Sequence, residues 1–156
     1  MKRNFILAIS AISALTLVSC EMLDDGMYRP EKKILRNFDE SYPKARDVDW
    51  DFENGYWVVS FDIGWGVDKE EYEAWYDVDG NWMMTKRELY LANVPRHIKD
   101  ALAADPEYGN ARIGDGEVEH YVLPNEEFYR FDIIHNGREV EVDVSEEGEV
   151  SLAKRL

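Results

Sequence analysis

The side chains best equipped for chemistry are sparse and poorly spaced for it. Ser41, Ser60, Ser145 and Thr85 offer hydroxyls, but a hydroxyl attacks only when a positioned base takes its proton, and none stands in a nucleophile elbow such as G-x-S-x-G. Ser60 falls in the middle of an alternating run, on its polar side, where a solvated hydroxyl is expected. His97, His120 and His135 are far apart and form no H-x-x-x-H pair, so they read as structural or surface histidines and not as zinc ligands. Asp47, Asp49 and Asp51 open like a calcium loop, yet position six is Phe52 where the turn needs glycine, and position twelve is Val58 where a bidentate glutamate is needed. On a strand those three carboxylates would share one face about 7 Å apart and attract a divalent cation only weakly. A glycosidase pair needs two carboxylates at a set distance with opposed pKa shifts, which abundance of acid does not supply. The reading is non-enzymatic, with no catalytic residue, no metal site and no cofactor.

The abundance itself is informative. Asp and Glu number 33 against 18 Lys and Arg, a net charge of −15 over 156 residues. Without Lys2 and Arg3, the two basic residues of the first twenty, the balance is 16 against 33, or −17. Nucleic-acid binding rests on a basic surface that displaces phosphate counterions, so DNA and RNA are excluded as partners. A hydrophobic content of 45% with 13% aromatics is too apolar for a disordered acidic tail, and the length allows one domain or two small ones.

Lys2 and Arg3 precede an uncharged run from Phe5 to Val18, the length of an export-signal core and short of the roughly 20 residues that span a bilayer. The run ends in Leu17-Val18-Ser19-Cys20, which resembles the bacterial lipobox. That resemblance implies lipidation at Cys20 and cleavage before it, hence a signal peptide over 1–19. Cys20 is the single cysteine, so no disulfide can form within the mature chain. Residues 20–29, with Asp24, Asp25 and Gly26, read as an acidic tether and partly resemble the surface-export signal of Bacteroidetes lipoproteins. A cell-envelope lipoprotein, facing the periplasm or the outer-membrane surface, is the expected location.

Residues 30–156 then supply the folded elements. Ile34, Leu35, Phe38 and Tyr42 lie on one helical stripe between Pro30 and Pro43. Alternation follows in Val48, Trp50 and Phe52, then Tyr56 to Ile63 after Asn54-Gly55, Glu70 to Val78, and Trp82 to Thr85 after Asp79-Gly80. Trp57, Val59, Phe61 and Ile63 with Tyr72, Ala74, Tyr76 and Val78 make the expected core face. The faces of Trp82 and Met83 depend on the register set at Asp79-Gly80. A second helix over 93–104 and strands over 117–123, 128–135, 138–144 and 149–153 repeat the order, with Asn136-Gly137 as another hairpin turn. Ala45-Arg46 recurs as Ala111-Arg112 and Asp77-Val78 as Asp143-Val144, both shifted by 66, and Phe61-Asp62-Ile63 recurs as Phe131-Asp132-Ile133, shifted by 70. The expected fold is α+β: a tandem repeat of helix plus antiparallel four-stranded sheet units, with halves of about 30–92 and 93–156 and both helices on one sheet face.

Phe38, Tyr42-Pro43, Ala45, Trp50, the strand Tyr56 to Phe61, Ala74-Trp75-Tyr76-Asp77 running into Asp79-Gly80-Asn81-Trp82, and Val94-Pro95, behind a lipobox, resemble the PepSY-like, β-lactamase-inhibitor-like family of secreted Bacteroidetes-type lipoproteins. The resemblance implies tandem helix-plus-sheet units and a binding or inhibitory role, and brings no catalytic residues.

Aromatics on otherwise polar faces fit such a role. Trp75 alternates with Glu71, Glu73 and Asp77, Tyr56 shares a face with Ser60 and Asp62, and Phe128 shares one with Arg130 and Asp132. Rings set in a polar sheet face are what protein interfaces use as hot spots. Trp65, between Gly64 and Gly66, is a further candidate on a loop. Tyr56, Trp65, Trp75 and Phe128 are therefore the expected contacts to an unidentified envelope or secreted protein that the module would inhibit or assist. The alternative is an acidic extracytoplasmic sensor or weak divalent-metal binder.

Overall fold

The computed structural model describes residues 29–154. The expected signal peptide, Cys20 and nearly all of the expected tether lie outside the described residues. Two helices and eight strands follow one another as α1 (Lys32–Ser41), β1 (Arg46–Glu53), β2 (Tyr56–Ile63), β3 (Glu70–Tyr76), β4 (Trp82–Tyr90), α2 (Arg96–Ala104), β5 (Arg112–Val122), β6 (Glu127–His135), β7 (Arg138–Ser145) and β8 (Val150–Leu152). All eight strands form one antiparallel sheet whose spatial order is the chain order. A helix followed by four strands thus occurs twice.

Both helices bury their apolar stripes on one face of the sheet, because a sheet covered on one side by amphipathic helices leaves the other to water. Ile34 and Phe38 of α1 meet Val59, Phe61, Ala74 and Tyr76, and Ile98 and Leu102 of α2 meet Val118, Tyr129, Phe131, Ile133, Val142 and Val144. Phe61 is the hub of the first cluster, with ring centroids 5.1 Å from Phe38, 4.6 Å from Tyr42 and 5.4 Å from Tyr72. The β3–β4 turn closes against α1: Asn37 donates to the Gly80 carbonyl at 2.9 Å. Gly80 has φ +81°, and a Cβ there would come within 3.1 Å of Ile34, so glycine is required on both counts. Asn54-Gly55 (φ 51° and 90°) and Asn136-Gly137 (φ 50° and 76°) form left-handed two-residue turns, the backbone that suits the twist of a hairpin.

Several expectations are corrected. Val78 is exposed, because β3 stops at Tyr76 and 77–81 fold into a turn in which Asp77 accepts from Asn81. Trp57 is half-buried at the margin of the first cluster, and Val48 and Phe52 are exposed on the edge strand β1. The Asp47-Asp49-Asp51 alternation is interrupted by a bulge between Arg46 and Asp49, with Asp47 at φ +50°. The first helix starts at Lys32, two residues after Pro30, and β4 runs on to Tyr90. The shift of 66 that matched Asp77-Val78 to Asp143-Val144 joins an exposed turn to a buried part of β7, whereas Phe61 and Phe131 do occupy the second strand after each helix, both buried.

Tyr76 carries a cost. Its ring is fully buried and its hydroxyl makes no hydrogen bond of normal geometry, although the Ser41 hydroxyl, which donates to the Asn37 carbonyl at 2.8 Å, is near enough to act on it. Burial accordingly pushes its pKa well above the usual phenol value. Tyr76→Phe removes the unsatisfied group without opening a cavity and is expected to stabilise the fold by on the order of 1 kcal/mol. Thermal melts of the two proteins check this, and a lower melting temperature for the variant would show that the hydroxyl is satisfied.

Candidate protein-binding face

The helix-free face is laid out in rows by the strand register. One row crosses from Asp51 through Val58 and Trp75 to Met84, and the pairing of Thr85 with Val122 extends it to Leu123. The next row contains Asp49, Ser60, Glu73, Lys86, Tyr121, Phe128 and Ser145. A third includes Asp62, Glu71, Glu119, Arg130, Asp143 and Ser151. Side chains in one row sit about 5 Å from their neighbours, within mutual reach.

The first row is the apolar one. Tyr56 and Trp75 come together with Met83, Met84 and Leu123 around an open cleft of about 290 Å³, with Glu53 and Asn54 on its margin. A bulge puts them there. Trp75 pairs with Met84 while Tyr76 pairs with Trp82, so Met83 is the extra residue. Trp82 therefore turns to the helix side, where its indole donates to Thr85 at 2.9 Å, and Met84 turns to the cleft. The sequence reading left that register open and overlooked Met84 and Leu123, whose signal is their place in line with Trp75 once the bulge is known.

Two of the expected contacts stand elsewhere. Phe128 lies on this face but is only 7% exposed: Tyr121 stacks on it at 5.0 Å and the Arg130 guanidinium covers both rings at 5.0 and 5.5 Å. It supports the surface without forming it. Trp65 is 75% exposed, beyond the opposite end of β2 from Tyr56 and so about 25 Å along the strand from the cleft. One side of its ring is capped by Arg46 at 3.2 Å, and the adjacent Val67 is wholly exposed.

The face holds its cations tightly. Lys86 lies between Glu73 at 3.1 Å and Glu119 at 3.4 Å; burial acts against its charge, but the two carboxylates prevail and its pKa is raised. Arg130 grips Asp143 with two bonds of 2.8 and 3.0 Å. The geometry offers an apolar hollow framed by fixed charge. It can bind a side chain.

A second polar group lies on the helix side between the two cores. Arg87 Nε donates to His120 Nδ1 at 3.0 Å, which leaves the proton on Nε2 to be donated to Glu127 Oε1 at 2.7 Å. Both ring nitrogens are thus engaged, and the ring stacks on Tyr129 at 4.4 Å. Burial lowers the His120 pKa, the Glu127 hydrogen bond opposes the shift, and the Arg87 charge adds to it. The imidazole is held as a neutral link between Arg87 and Glu127. Because the folded pKa lies below the unfolded value near 6.5, the unfolded chain protonates first as pH falls, so His120 makes stability decline from neutral pH down through the folded pKa. His120→Gln keeps one acceptor and one donor but cannot titrate. Melts between about pH 7 and 5 should slope downward in the wild type and lose that part of the slope in the variant.

No protein-family model matches the chain, and no curated protein does. Solved structures do. A BLIP-like protein from Bacteroides fragilis is 28% identical with a TM-score of 0.69, over 84% of this chain and 89% of that one. The chain has the fold of a BLIP-like protein. A DUF2874 family protein from Bacteroides ovatus matches at 22% identity and TM-score 0.65, over 81% of this chain and 86% of that one. A candidate periplasmic protein from Bacteroides eggerthii matches at 18% and 0.61, over 78% and 86%. At those last identities the likeness concerns the fold alone.

Proposed function

We propose that the protein is a non-enzymatic, lipid-anchored binding module of the cell envelope, an inhibitor-like or accessory factor whose protein partner docks on the helix-free face. The carrying observation is the cleft between Tyr56, Trp75, Met84 and Leu123, an apolar hollow on the face that no helix covers. Large rings in such hollows dominate interface energies. The BLIP-like neighbour at 28% identity supports an inhibitor-like role, and the name of the Bacteroides eggerthii neighbour supports an extracytoplasmic place. In this reading 1–19 is the signal peptide, Cys20 the lipidation site, 20–29 the tether and 30–156 the PepSY-like and BLIP-like domain, its halves joined by an ancient duplication. Tyr56 and Trp75 are the central contacts, and Trp65 is a separate one on its loop.

Full-length protein in non-ionic detergent, used as bait for native envelope proteins, tests the face. Trp75→Ala should keep the wild-type circular dichroism spectrum and weaken capture by about 1–2 kcal/mol, the usual scale of a hot-spot ring. A folded variant with undiminished capture would move the interface away from the cleft, with Trp65 the next residue to replace.

A further inference from the structure

We infer that the surface seated in this cleft is a basic one: a lysine- and arginine-bearing protein segment that places an apolar side chain between Tyr56 and Trp75. The inference rests on the binding role proposed above and adds the chemistry of the partner. Its ground is the charge left over on the face. Lys86, Arg130 and Lys69 are already held by carboxylates, the last by Asp62 at 3.2 Å and Glu71 at 2.8 Å. Asp49, Asp51, Glu53 and Glu88 have no ion-pair partner among the described residues. Asp51 occupies the row of Val58 and Trp75, and Glu53 is on the cleft itself.

Three kinds of partner respond differently to that arrangement. An anionic surface would meet repulsion at the cleft, since Arg112, which has no ion-pair partner among the described residues, stands at the far end of β5 from Leu123. A neutral apolar surface would leave Asp51 and Glu53 unpaired, and wherever it covered them it would strip water without replacing it, at a cost in free energy. A lysine or arginine satisfies both needs, since its aliphatic stem packs on the rings while its head reaches the carboxylates or lies over an indole face. The unpaired acids also steer such a partner inward from a distance.

Three short fluorescein-labelled peptides test this with the full-length protein: one of lysines and arginines around a central phenylalanine, the same with serine for phenylalanine, and the same with glutamates for the basic residues. The basic phenylalanine peptide should bind, with its Kd rising about tenfold between roughly 50 and 300 mM salt. The serine peptide should bind about fivefold or more weakly, and the glutamate peptide should not bind. Trp75→Ala should bring the phenylalanine peptide to the affinity of the serine peptide while keeping the salt dependence, and Asp51→Asn with Glu53→Gln should flatten it. Equal binding of the acidic peptide, or basic-peptide binding indifferent to Trp75→Ala in a folded protein, overturns the inference. An envelope partner captured through Trp75 with no salt sensitivity overturns it too, but leaves the proposed binding role intact.

Discussion

Phe61→Ala is expected to lower the melting temperature by on the order of 10–20 °C and to leave much of the chain unfolded under mild denaturing conditions. The ring is 2% exposed and sits among Phe38, Tyr42 and Tyr72. Truncating an aromatic in such a site costs about 3–5 kcal/mol, because the transfer energy is lost and the rigid neighbours cannot close the hole. A whole domain holds about 5–15 kcal/mol. Val78→Ala, at an exposed turn position, serves as the control and should change stability by less than about 0.5 kcal/mol. A melting temperature near wild type for Phe61→Ala would mean that the cluster under α1 is not the stabilising core.

Cys20→Ala is expected to abolish acylation and to leave the chain unprocessed at this site, with the apolar run of 5–18 still attached. Membrane affinity grows by about 0.8 kcal/mol for each methylene that an acyl chain buries, so in the variant only the uncleaved apolar run is left to hold the protein at the membrane. An acidic chain of net charge −15 has no electrostatic attraction to anionic headgroups to take over. Intact-mass measurement after fractionation decides the matter. An acyl adduct on the variant, or a mass showing cleavage at the same site, would refute lipidation at Cys20.

How far the sequence could be read followed from whether the deciding interactions were local. The stripe of Ile34 and Phe38 and the turns Asn54-Gly55 and Asn136-Gly137 carry their own geometry within a few residues, so α1 and both hairpins were legible. The extent of β4 was not. Lys86, Arg87 and Glu88 break the apolar alternation, and they belong in a strand because Lys86 pairs with Glu73 and Glu119 on the flanking strands and Arg87 with His120. The start of β5 is similarly concealed by Gly114-Asp115-Gly116, where the pairing with β6 shifts register between Ile113 and Val118. In the candidate site, Tyr56 and Trp75 could be put on the helix-free face by counting along their strands. Their convergence with Met84 depends on one extra residue at Met83, and the covering of Phe128 by Tyr121 and Arg130 joins residues on adjacent strands. Neither is written in the local pattern.

The coincidence of sheet order with chain order bears on how the molecule acquires its structure. Each strand finds its hydrogen-bonding neighbour in the next strand to emerge, and within each set of four strands the connections are short turns. Loop closure then costs little entropy at each step, because each strand pairs with its neighbour in the chain. The one long excursion runs from β4 through α2 to β5, and it separates two clusters that each contain a complete helix and its strands. The first four strands can therefore collapse on α1 before the remainder of the chain is present, and β4 then offers a finished edge on which β5 can start the second half. A polypeptide that crosses a membrane unfolded and end first would gain its structure in the order in which it arrives.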